Sequence, residues 1–179
     1  ETDEIRYAID AIVKMALAVL FSGVIGYERE HSHRPAGFRT HILVAVGSAL
    51  VMMTSGYVFN EYIGLGTFDP TRLGAQVISG IGFLGAGTIL REGFSVKGLT
   101  TAAGIWATAG IGLAIGAGMY GIGVYATIVL LIIQIFIHKF VPIENTVATT
   151  IKLKIKNDPL ALDHVEEILL KKGVDIMTT

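Results

Sequence analysis

Glu28, Arg29 and Glu30 close the first long apolar stretch of the chain, and Arg91 and Glu92 close the third. Carboxylates placed this way could hold a hard divalent cation. Magnesium takes oxygen ligands and keeps several of its waters, so two carboxylates can suffice. Glu28, Glu30 and Glu92 are therefore the candidate metal ligands, with Mg2+ the ion they would suit. Arg29, Arg39 and Arg91 stand beside them and favour the other reading, in which these charges are interfacial anchors and salt bridges. His31, His33 and His41 follow in the same loop. Loop histidines without helical or strand spacing are a weak zinc or nickel pattern, and they read better as solvated or hydrogen-bonded residues.

Two further groups stand out. Arg6, Asp10 and Lys14 are four apart and share one helix face. Asp10 and Lys14 can pair. Either Lys14 snorkels from an interfacial helix start, or the two form an intramembrane charge pair facing a bundle or cavity. Asp69, Arg72 and Gln76 open the third apolar stretch. They could cap and glue neighbouring helices, or form a binding site or gate.

These residues need a scaffold. Of 179 residues, 52% are hydrophobic and 16% charged, against about 25% charged in a usual soluble domain. The charges are clustered and leave long apolar gaps, which is the pattern of a multi-span membrane protein. We expect an all-α polytopic fold with spans near 5–27, 42–59, 71–90, 99–115 and 119–140, within a domain of residues 1–142. The third span, with Asp69 and Pro70 at its start, is expected to be the packing hub. Gly80, Gly82, Gly85 and Gly87 stud it, and with Gly112 and Gly116 they would let helix backbones approach closely in lipid.

After Pro142 the character changes. Ile151, Leu153 and Ile155 alternate with lysines as in a strand with one wet face. A helix to about Lys172 and a second strand at 174–177 would follow. Residues 147–179 thus read as the start of a small cytoplasmic α+β domain. Lysine and arginine placement predicts the N-terminus outside and the C-terminus in the cytoplasm. The acidic opening ETDE does not read as a cleavable signal peptide.

Some classes drop out. Without cysteine there is no disulfide framework, thiolate metal site or cysteine nucleophile. A net charge of −1 gives no field for nucleic acid. No G-x-S-x-G, H-E-x-x-H or P-loop is present, so no enzyme is expected and no catalytic residues are assigned. The paired glycines, such as Gly80 and Gly82, lack a βαβ setting and are not a nucleotide fingerprint.

The strings AQVISGIGFLGAGTILREG and VKGLTTAAGIWATAGIG, with IGYERE and RPAGFRTHILVAVGSAL before them, resemble the signature of the MgtC/SapB family of bacterial inner-membrane proteins. The resemblance covers about residues 15–123. It implies about five spans, an ACT-like cytoplasmic domain, a link to growth at low magnesium and, in pathogens, to virulence. By motif it makes Glu92 and Thr100 functionally sensitive, although many relatives have Asn where Thr100 stands. Glu28, Arg29, Arg39, Asp69, Arg72 and Gln76 also match family positions. The expected function is regulation of other membrane proteins by binding them, with a homodimer formed through leftover glycine faces. The alternative is a transporter or channel for magnesium or another cation.

Overall fold

The computed structural model describes residues 2–64, 66, 69–92, 95–137, 167–169 and 171. Contacts divide the chain into two units, Glu1–Pro142 and Ile143–Thr179. The first runs α1 (Thr2–His31), α2 (Phe38–Glu61), α3 (Arg72–Ala86), β1 (Leu90–Glu92), β2 (Ser95–Lys97), α4 (Leu99–Gly116) and α5 (Tyr120–Ile132), which continues as a π-helical turn, Ile133–Ile137. In the second unit, Glu167–Leu169 and Lys171 are helical, and Lys171 Nζ lies 2.8 Å from Glu167 Oε1. The expected strands at 151–156 and 174–177 fall outside the described residues, as does most of the expected helix.

The helix boundaries follow from local chemistry. α1 continues past residue 27 because the Glu-Arg-Glu-His run lacks a breaker. It stops where His33 takes φ 54°. There the His33 N–H bonds to the Glu30 carbonyl and the Arg34 N–H to the Arg29 carbonyl, both at 3.0 Å. This is a Schellman closure with histidine in the position glycine usually fills. The α4–α5 turn repeats it with Gly118 at φ +80°, Gly118 N–H bonding to Ile115 and Met119 N–H to Ala114.

The interior is built from small residues and the exterior from large apolar ones. Ala18, Ile25, Ala45, Ala49, Ile111 and Ile115 form one core cluster among α1, α2 and α4. Ala36, Val44, Ile81, Ile105 and Ala109 form another. Outside stand Ile12, Leu20, Leu43, Phe83, Trp106 and Tyr125, all more than half exposed. A water-soluble bundle would bury such side chains, whereas one in lipid has no reason to. α1 from Glu4, α2 and α4 are each long and apolar enough to cross a membrane, and Tyr120–Phe136 forms a shorter apolar helix.

Three features depart from the sequence expectation. The third helix stops at Ala86, giving 15 residues and about 22 Å of helix, short of the roughly 30 Å hydrocarbon layer. The Thr88 hydroxyl bonds the Gly85 carbonyl at 2.8 Å and turns the chain away. Next, Leu90–Glu92 pairs antiparallel with Ser95–Lys97 where a loop was expected. Gly98, at φ +90°, closes this hairpin, and a Cβ there would collide with the Thr88 carbonyl. Finally, the hub is α4, not α3. α4 packs against α1, α2, α3 and α5, whereas α3 buries only one side, through Gly74, Ile81 and Gly85.

The glycines sort accordingly. By chain path, α2 and α4 run the same way and touch backbone to backbone. A Cβ on Gly112 would strike the Ala45 carbonyl, and one on Gly116 would stand 2.5 Å from the Ala49 carbonyl oxygen. These are the two ends of a G-x-x-x-G. Gly85 faces Ala102, and Gly87 meets only its own helix end. Among the described residues, Gly80 and Gly82 have no neighbouring atom within 4 Å of a would-be Cβ, so they join no described helix to another.

Candidate functional site

Charged residues gather at the two ends of the bundle. At the end where α1 begins and α5 begins, Lys14 Nζ lies 2.6 Å from Asp10 Oδ2. The Lys14 side chain is 16% exposed, well inside the helix surface. The Tyr120 hydroxyl donates to Asp10 Oδ1 at 3.2 Å, tying the pair to the first turn of α5. The expected pairing is thus present, with a tyrosine partner that four-residue spacing could not reveal.

Near that end, the loop before α3 holds Asp69. Its carboxylate accepts from the Thr71 N–H at 2.8 Å and the Thr71 hydroxyl at 2.7 Å. These two bonds hold the Asp69 pKa below its ordinary 3.8. Asp69 therefore caps the approach to α3 through Thr71. Arg72 and Gln76 are exposed on the outer side of α3 with Ser79, Gly80 and Phe83, the last 84% exposed.

At the other end, where α1 meets α2, the carboxylates separate. Glu28 pairs with Arg29 and accepts from the Ser32 hydroxyl at 2.8 Å. Glu30 turns the opposite way and accepts the Phe38 N–H at 2.8 Å, capping α2. Two positions apart on a helix cannot face one point, so Glu28 and Glu30 do not converge on an ion. Among the described residues, no three acidic or histidine side chains are placed to hold a metal. The backbone of Glu92 pairs in the hairpin, and its side chain lies outside the described residues. Arg39 and Thr100 are exposed in the first turns of α2 and α4.

Arg29 is 4% exposed. Its guanidinium pairs with Glu28 and donates from Nη2 to the Gln134 backbone carbonyl at 3.4 Å. That carbonyl lies in the π-helical turn. His41, fully buried, donates from Nδ1 to the Gly37 carbonyl at 2.8 Å. Sequence reading missed Gln134, although it is the lone polar side chain in IVLLIIQIFI. It also placed His41 in a polar loop, where α2 in fact begins three residues earlier.

Four other buried hydroxyls bond within their own helices. The hydroxyls of Ser22, Ser48, Thr108 and Thr127 bond the carbonyls of Ala18, Val44, Gly104 and Gly123, each one turn back, at 2.5–2.8 Å. Ser55 bonds the Pro70 carbonyl at 2.6 Å and ties α2 to the chain before α3. Such hydroxyls satisfy themselves and leave little polarity facing a path.

Small-residue interior, apolar exterior and self-satisfied hydroxyls together define a helical membrane protein. A family model described as the MgtC family matches residues 15–142, and the chain belongs to that family. It is 46% identical over 128 residues, 70% of this chain and 60% of the relative, to a protein of Escherichia coli (strain K12) named "Putative magnesium transporter YhiD". It is 43% identical to the protein MgtC of Brucella abortus (strain 2308), over 72% of this chain and 52% of that one. It is 48% identical to the protein SapB of Bacillus subtilis (strain 168), over 62% of this chain and 49% of that one. The chain thus spans about half to three-fifths of the curated relatives it matches. No solved structure matches it.

Proposed function

We propose that this protein serves magnesium homeostasis at low magnesium, and virulence where its source is a pathogen, by binding and regulating other membrane proteins. In this reading it is not an enzyme. It crosses the bacterial inner membrane five times, with the N-terminus outside and the C-terminus cytoplasmic, and residues 147–179 begin an ACT-like domain. α3 and α5 make up the count by crossing a bilayer thinned or filled around them, as short helices do at modest cost.

One observation carries this reading. α4 lies on α2 with its glycine backbone against Ala45 and Ala49, and the hydroxyls at that seam bond within their own helices. A tightly packed seam of this kind supports a rigid, partner-presenting surface rather than a conduit. Cation transport is the second reading. It is favoured by the Asp10–Lys14–Tyr120 group and by the name of the E. coli relative.

Flux separates the two. The full chain in proteoliposomes is expected to take up no more magnesium than empty liposomes. It is nevertheless expected to restore low-magnesium growth to cells lacking it, and Glu92→Gln is expected to abolish that rescue. Magnesium uptake that disappears in Asp10→Asn or Glu92→Gln would establish transport instead.

Homodimerisation belongs to the same proposal. The outer side of α3 carries Arg72, Gln76 and Ser79, groups that lipid solvates poorly, beside Gly80 and Gly82, which are open. A second copy covering this side would give those polar groups partners and the glycines a backbone to touch. The chain has no native cysteine, so Phe83→Cys introduces a single thiol. Oxidation in lipid should trap a disulfide-linked dimer, whereas Tyr125→Cys on α5 should not. A sample that stays monomeric in both detergent and lipid would remove the dimer from the proposal.

A further inference from the structure

The corner between α1 and α2 holds an open pocket of about 410 Å3, lined by Tyr27, Glu30, His31, His33 and Phe38. That volume falls within the roughly 300–1,000 Å3 usual for small-molecule sites. Close backbone packing fixes its walls. A Cβ on Gly26 would lie 2.8 Å from the Phe38 Cα, and one on Gly23 would lie 3.3 Å from Phe38 Cε2. These two glycines let the start of α2 rest against α1. The Tyr27 and His31 rings stack, with centroids 6.2 Å apart and planes 14° from parallel. Glu30 is held by the Phe38 N–H. His33 stands at φ 54°, a conformation glycine takes without strain. The chain keeps an imidazole there instead, and that residue lines the pocket.

The lining selects the chemistry of a ligand. Among the described residues, no three acidic or histidine side chains are placed to hold a metal. A lone anion would face the Glu30 carboxylate. A purely apolar molecule would give that carboxylate and the two imidazoles nothing to bond. An organic ammonium fits better, because aromatic faces such as those of Tyr27 and Phe38 attract cations. Glu30 spends one acceptor position on Phe38, and a carboxylate has others for an N–H. Imidazole N–H groups in turn donate to phosphate oxygens. A group that carries an ammonium and a phosphate together uses all five residues.

The approach to the pocket points to a lipid as the source. Leu20, Val24 and Tyr27 are spaced i, i+4, i+7 and share one side of α1. They are 58%, 47% and 67% exposed. This apolar stripe ends at the pocket, since Tyr27 belongs to both. Tyrosine is enriched at headgroup level in membrane proteins. An acyl chain lying on the stripe therefore brings its own headgroup to the pocket.

We propose that this pocket binds the headgroup of phosphatidylethanolamine. The ammonium sits with Glu30, Tyr27 and Phe38, the phosphate with His31 and His33, and one acyl chain follows Val24 and Leu20. The assignment fixes a preference among lipids. Phosphatidylcholine has no N–H to give Glu30, and phosphatidylglycerol has no cation. Lipid binding here goes beyond the regulatory reading and does not depend on it.

The test titrates the full chain in detergent with each of the three lipids, matched in acyl chains, and counts bound lipid by native mass spectrometry. Phosphatidylethanolamine should be retained several-fold more strongly than the other two. Glu30→Gln keeps an acceptor for the Phe38 N–H and should bring phosphatidylethanolamine down to the phosphatidylcholine level. Tyr27→Leu should weaken phosphatidylethanolamine several-fold, with the Trp106 emission reporting an intact fold. Phosphoethanolamine, which lacks chains for the stripe, should compete poorly. A phosphatidylethanolamine with a diazirine on the first carbons of an acyl chain should label Val24 and Tyr27 of the wild-type protein well above Tyr125 on α5. Equal retention of the three lipids would overturn the proposal and leave the pocket to a basic side chain of a protein partner. Full competition by phosphoethanolamine, or even labelling of α1 and α5, would overturn it as well. The wild-type measurements decide the matter even if both variants fail to fold.

Discussion

A single methyl group on Gly112 or Gly116 is expected to destabilise this protein by about 3 kcal/mol, the upper end of the usual cost of about 1–3 kcal/mol for forcing extra volume into a packed interior. On Gly112 the new carbon would strike the Ala45 carbonyl and lie 2.9 Å from the Ala45 Cα and the Ser48 Cβ. On Gly116 it would stand 2.5 Å from the Ala49 oxygen and 2.9 Å from the Ala49 Cα and the Met52 Cβ. Most of these are backbone atoms or side-chain roots, which cannot rotate away. α2 and α4 must separate, and the contacts among Ala45, Ala49, Ile111 and Ile115 loosen with them. Without a hydrophobic drive between helices in lipid, that close packing is the main attraction lost. Gly112→Val and Gly116→Val should abolish the folded state. In the detergent-solubilised monomer, Gly80→Ala, Gly82→Ala and Gly110→Ala meet open space and should leave stability unchanged or slightly higher, because alanine is the better helix former. Unfolding by a denaturing detergent, followed through the single tryptophan, Trp106, reads all five positions on one scale. Equal loss at Gly80 and Gly112 would refute the assignment of α4 as the hub.

That contrast also shows what the sequence could convey. The helices were legible because hydropathy and charge clustering are one-dimensional signals, and lipid makes them strong. Which glycines touch which helix was not. Gly80 and Gly112 look alike in the chain, and only the third dimension puts Ala45 against Gly112 and, among the described residues, nothing against Gly80. The short third helix was hidden because an uncharged run to Leu90 does not say where a threonine hydroxyl will turn the chain. The hairpin was hidden because three-residue strands carry too little alternation to read. For the site, Asp10 with Lys14 was visible as helical spacing, since both lie on one element. Arg29 with Gln134, and His41 with Gly104, bring together elements far apart in sequence. For those the one available clue was a polar residue in an otherwise apolar run, at Gln134.

The second large effect is expected at Arg29. Its guanidinium is nearly enclosed, pairs with a partly buried Glu28 and reaches the Gln134 carbonyl at 3.4 Å. Arg29→Met keeps much of the volume and removes the charge. Glu28 then keeps only the Ser32 hydroxyl, and the Gln134 carbonyl loses a donor. Removing one partner of a buried pair costs about 3–5 kcal/mol, and the loss here should fall near 3 because Glu28 retains some contact with solvent. Glu28→Gln should cost less. The Arg29→Met/Glu28→Gln double variant should regain part of the Arg29→Met loss, because the stranded carboxylate is gone. The same detergent titration gives the coupling energy, and additive single effects would mean that the two charges are solvated independently. Salt offers a second check. A buried pair is screened weakly, so raising sodium chloride to 1 M should barely change the cost of Arg29→Met. Arg29→Lys should recover only part of the wild-type stability. An ammonium can face Glu28 or the Gln134 carbonyl, but it lacks the planar fork that lets arginine serve both. A lysine variant as stable as the wild type would reduce Arg29 to a bare charge and detach the end of α5 from α1.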